Sequence, residues 1–68
     1  MSNHHMLATQ ALAQCRQHAR QGKRALATMC FWVAERHIEA EPDPVRYLAL
    51  TLEADRVVRE HFLPESGL

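Results

Sequence analysis

The sequence predicts an all-α fold, a small antiparallel helical bundle, from three observations. Ala, Leu, Arg, Glu and Gln dominate the 68 residues, and these are strong helix formers. Glycine occurs only twice, and the three prolines, Pro42, Pro44 and Pro64, all lie in the second half. Apolar residues recur at three- and four-residue spacing over long stretches. Hydrophobic content of 47% and charged content of 24% are near globular averages, so a disordered chain is not expected.

The first helix is expected over 4–21. At about 100° per residue, Leu7, Ala8, Ala11, Leu12, Cys15 and Ala19 share one stripe, with glutamines and arginines opposite. The stripe is built of small residues, which suits close helix–helix approach better than a thick core. The second helix is expected over 23–40 and has two adjacent apolar stripes. Leu26, Met29, Cys30, Val33 and His37 form one; Ala27, Phe31, Ala34 and Ile38 form the other. A helix apolar on most of its circumference is sandwiched or lies at an interface.

EPDP at 41–44 is the clearest boundary. Neither proline continues a helix, and Asp43 followed by Pro44 is a good N-cap and first-turn pair. The third helix is expected over 44–62. Tyr47, Leu50, Ala54, Val57, Val58 and Phe62 make its broad face, and Val45, Leu48 and Leu52 make a second strip. Pro64 ends it. A single domain over 1–68 is expected, with flexible ends at about 1–4 and 64–68.

The connection between the first two helices has two readings. In CRQHARQGKRALATMC (15–30), Gly22 could be tolerated inside one continuous helix at a cost near 1 kcal/mol. A two-helix hairpin with a long first helix of about 54 Å would result, completed by a second copy. Alternatively, Gly22 occupies the position after a helix end and the chain turns there, giving three helices. The stripe positions are mirror images about 22.5. A turn would therefore set Ala19 by Leu26, Cys15 by Cys30, Leu12 by Val33 and Ala8 by His37.

A chain of this length is marginal alone, so completion by self-association is expected. The net charge of zero hides an asymmetry. Residues 1–34 contain no acid and carry Arg16, Arg20, Lys23 and Arg24, whereas 35–68 hold all eight acids and four arginines. The halves can attract each other or separate partners. The least polar run, ALATMCFWVA (25–34), is about half the length of a membrane span, so no membrane role is expected. The two cysteines, in a chain read as having no secretory signal, suggest free thiols and a cytoplasmic location. MSNHHM reads equally as native sequence or a cloning remnant, so His4 and His5 carry no argument.

Three features could carry chemistry. Cys15 and His18 share a helical face that Cys30 approaches only if the chain turns, which would offer soft ligands for zinc or a redox pair. No CxxC or HxxxH accompanies them, and buried free cysteines are common, so no metal and no cofactor is expected. Arg16, Arg20, Lys23 and Arg24 form a basic run of the type that contacts phosphates, yet four charges are few and no aromatic interleaves them. Phe31 and Trp32 point about 100° apart, so one stripe cannot bury both, and a partly exposed Trp is a typical interface anchor.

No catalytic triad, phosphate loop or paired catalytic carboxylates can be drawn, and a non-enzymatic role is expected. The leading expectation is a small regulatory or adaptor protein that binds a protein partner, or itself as a homodimer. Met29, Phe31, Trp32 and Tyr47 would supply apolar burial, and Arg16, Arg20, Lys23 and Arg24 would set orientation. The alternatives are a nucleic-acid-associated regulator using the basic half, and a metal- or redox-sensing module through Cys15, His18 and Cys30.

Overall fold

A computed structural model describes residues 3–62. It contains three α-helices, α1 (His4–Arg20), α2 (Arg24–Glu39) and α3 (Pro44–Val57), followed by one wider π-turn, Val58–Phe62. The third helix therefore changes winding at Val58 where the sequence predicts continuous α-helix to 62. Of the ends expected to be flexible, residues 1, 2 and 64–68 lie outside the described residues, while His4 already belongs to α1.

The chain turns at Gly22, which excludes the long first helix. Gly22 has φ +78, the left-handed conformation that costs glycine nothing. Its N–H donates to the Ala19 carbonyl (3.1 Å), and the Lys23 N–H donates to the His18 carbonyl (2.9 Å). This double bond pattern closes the C-terminus of α1 on its own orphan carbonyls. Because the stop is local, α2 begins two residues later and runs back along α1.

EPDP behaves as its residues dictate. The Asp43 carboxylate accepts from the Val45 N–H at 2.9 Å, with Pro44 at the start of α3. Glu41 in turn accepts from the Asp43 N–H at 3.1 Å. The prolines and this cap force the second reversal, and α3 packs across both α1 and α2.

The described molecule is an elongated slab with extents of 40 × 24 × 13 Å between Cα atoms. Helix axes pack about 8–10 Å apart, so the thinnest dimension holds two helical layers and no third. Ten buried residues form one cluster, and half of them are alanine: Ala8, Ala11, Ala27, Ala34 and Ala54. Leu12, Val57 and Cys15 are the largest side chains fully buried. This is the close-approach seam that the small first-helix stripe predicts.

The inner stripe of α2 differs from the mirror-image expectation. Ala27, Ala34 and Ile38 are buried, with Phe31 packed beside them, whereas Leu26 and Val33 are exposed. His37 meets His4, one turn from the expected Ala8, with their Nδ1 atoms 3.1 Å apart. Alanines let the α1 and α2 backbones approach closely, and the leucine and valine of the other stripe would hold them apart.

Candidate functional site

The outward side of α2 carries a contiguous ridge of exposed apolar side chains. Trp32 is 60% exposed and Met29 56%, with Leu26 and Val33 exposed alongside. The cause is local: α2 is apolar over most of its girth, and α1 and α3 together cover only the Ala27–Ala34–Ile38 side. Phe31, about 100° from Trp32 around the helix, turns inward. Its ring lies 5.8 Å from that of Phe62 and packs on the core, so it leaves the candidate surface.

Tyr47 sits apart from Met29 and Trp32. It lines an open groove between α2 and α3 with Glu35, Ile38, Glu39, Thr51 and Ala54. The structure therefore splits the expected apolar set of Met29, Phe31, Trp32 and Tyr47 among an outer ridge, the core and a groove.

The basic run is split as well. Arg16 reaches across from α1 to Glu53, at 2.6 Å, and towards Glu60, at 3.8 Å. It holds the C-terminal segment against α1 rather than facing outward. Arg24 donates to the Phe62 carbonyl at 3.4 Å, and its guanidinium stands 5.7 Å from the centre of the Phe62 ring. It thereby satisfies a carbonyl at the end of the π-turn. Arg20 and Lys23 are exposed beside the Gly22 turn and form no ion pair among the described residues. The opposite charges of the two halves of the chain thus meet within the fold, through Arg16 with Glu53 and Glu60.

Both cysteines are free. Cys15 is fully buried and Cys30 half-buried against the same core. Burial pushes the Cys15 thiol above its ordinary value, the neighbouring Cys30 adds to the rise, and Arg16 opposes it. A raised value keeps Cys15 a thiol and disfavours the thiolate that redox or metal chemistry needs. Among the described residues no three His, Cys, Asp or Glu side chains converge as a metal site, so Cys15, His18 and Cys30 do not assemble into one.

The His4–His37 contact is the residue-level feature that the sequence pattern did not offer. Two Nδ1 atoms at 3.1 Å share one hydrogen bond, so one ring carries its proton there and the other does not. The bond ties the first turn of α1 to the last turn of α2. Its only sequence signal is that a turn at Gly22 brings the two ends together.

No helix among the described residues is long and apolar enough to cross a membrane. No family model matches the chain, and no curated protein or solved structure shows significant similarity to it.

Proposed function

We propose that this protein is a small non-enzymatic interaction module that binds a protein partner through the outer ridge of α2. The observation that carries the reading is Trp32, 60% exposed and flanked by exposed Met29 on a helix whose other side already closes the core. Large, rigid side chains of this kind bury much area at little entropic cost and dominate interface energetics. Leu26, Met29 and Val33 recur at three- and four-residue intervals, the pattern that receives an amphipathic helix. Arg20 and Lys23 stand beyond the Leu26 end of the ridge, so a matching helix would be acidic at that end.

The nucleic-acid reading is the weaker one. It needs the four cations of the basic run together, and Arg16 and Arg24 are engaged by Glu53, Glu60 and Phe62 inside the fold.

A photo-crosslinking residue at position 29 tests the proposal in the cells that make the protein. The expected result is an adduct with another protein, lost on Trp32→Ala while the helical circular dichroism is unchanged. A probe at exposed Gln14 on α1 sets the background. Adducts no more abundant at 29 than at 14 would overturn the reading.

A further inference from the structure

We propose that His4 and His37 form a binding site for a divalent transition-metal ion of the zinc, nickel and copper group, with water in its remaining coordination positions.

His4 lies in the first turn of α1 and His37 in the last turn of α2, and the reversal at Gly22 sets these two turns side by side. Their Nδ1 atoms stand 3.1 Å apart and their ring centres 5.3 Å apart, with 35° between the ring planes. That spacing is the one a single ion imposes on two of its ligands. Imidazole nitrogen binds zinc at about 2.0–2.1 Å. Two such bonds at a tetrahedral angle put the nitrogens about 3.3 Å apart, and at the right angle of a square or octahedral site about 2.9 Å apart. The separation in the fold falls between these two values.

The pair can free the lone pairs an ion needs. As the rings stand, one Nδ1 donates its proton to the other. A neutral imidazole carries its one proton on either nitrogen, so moving the donor's proton to its own Nε2 through solvent frees both Nδ1 atoms with no net proton loss. No described residue holds either Nε2 in a hydrogen bond, and neither atom is buried without a partner, as His18 Nδ1 and His61 Nε2 are. Both residues are half-buried, which leaves each ring room to turn about its side-chain torsions and aim its lone pair at the ion.

The donors select the ion. Imidazole suits zinc, nickel and copper, whereas magnesium and calcium call for oxygen ligands. No third His, Cys, Asp or Glu joins the pair among the described residues, so the site is open to solvent and of moderate affinity. An ion held there staples the α1–α2 hairpin at the end away from Gly22. A structural metal is a common stabiliser of chains this short. The site uses neither Trp32 nor Met29, so it does not depend on the α2 ridge.

Thermal unfolding of the full chain with added Zn²⁺, Ni²⁺, Cu²⁺ or Mg²⁺ tests the site, because an ion bound only by the folded chain raises the midpoint. Ligand histidines bind as neutral rings, so the measurement is made at about pH 7.5. The expected result is a rise of about 4–8 °C with the three transition-metal ions and none with Mg²⁺. Calorimetric titration should give one ion per chain. His4→Ala and His37→Ala should each abolish the metal-dependent rise, whatever they do to the metal-free midpoint, and His5→Ala should keep it. In the wild type itself, a trace of Cu²⁺ should broaden the ring NMR signals of His4 and His37 before those of His5, His18 and His61. No rise with any of the three ions, or broadening that begins at another histidine, would overturn the proposal. A rise that survives His37→Ala would also overturn it, by moving the ion to the adjacent His4 and His5.

Discussion

α2 buries alanines on its inner face and exposes leucine, methionine, valine and tryptophan on its outer one. Both faces are apolar; the inner one sets Ala27 and Ala34 at the seam with Ile38 and Phe31 beside them, and the outer one carries only large side chains. The inner face works by distance: Ala27 and Ala34 allow α1 and α3 to approach, so modest side chains still close the seam. The outer face does nothing for that seam and holds the bulk. The difference teaches that in a chain this short the large apolar residues are not the core by default. Where helix approach sets the packing, small residues take the centre of the seam, and Leu26, Met29, Trp32 and Val33 are left exposed.

Size exchange at adjacent positions breaks the comparison most directly. Ala34→Leu should cost about 1–3 kcal/mol, because the fully buried site has no room for the added carbons. Val33→Ala, one residue away on the exposed side, should cost within about 0.5 kcal/mol. Urea unfolding of both variants checks this, and a larger loss from Val33→Ala would mean that the two faces have been assigned the wrong way round.

The next effect is at the turn that creates the seam. Gly22→Ala should cost roughly 1–2 kcal/mol through the left-handed backbone alone, since an added Cβ would meet nothing within 4 Å. Gly22→Asn should cost less, because asparagine visits that conformation more readily. Thermal unfolding should rank the chains Gly, Asn, Ala, and equal stability of Asn and Ala would remove the backbone explanation.

The smallest effect concerns the two thiols. Cys30 should react with a thiol reagent before fully buried Cys15. The Cys15 pKa lies above the ordinary 9.0 in the folded state, so on raising pH the unfolded chain loses this proton first. Stability should therefore be level below that value and fall as pH rises through the folded-state value. Cys15→Ala should have a flatter pH–stability curve above the ordinary thiol value than wild type, measured by urea unfolding at each pH. Identical slopes would place the Cys15 thiol in an environment no less favourable to charge than water.

Much of the fold was legible because its signals are local. Asp43 and Pro44 start a helix through their own backbone and side-chain chemistry, whatever packs on them. Gly22 was legible as a position but ambiguous in outcome, since an interior glycine costs a helix about as much as a turn gains from it. The candidate surface was legible for Trp32, whose helical phase differs from that of both stripes. It was not legible for Phe31, Arg16 or Arg24. Their partners are Phe62, Glu53 and Glu60, some thirty or more residues away in the chain.

By itself the sequence determined an all-helical chain, the reversal at 41–44 and a first helix made for close contact; that the chain also reverses at Gly22 was decided by the structure. Only the tertiary structure decided which stripe of α2 faces inward. Leu26–Met29–Val33 and Ala27–Ala34–Ile38 have nearly the same period, so periodicity cannot rank them. The seam ranks them by volume, because α1 and α2 approach closely only where alanines face each other. The same choice of seam brings His37 to His4 and leaves Trp32 and Met29 in water.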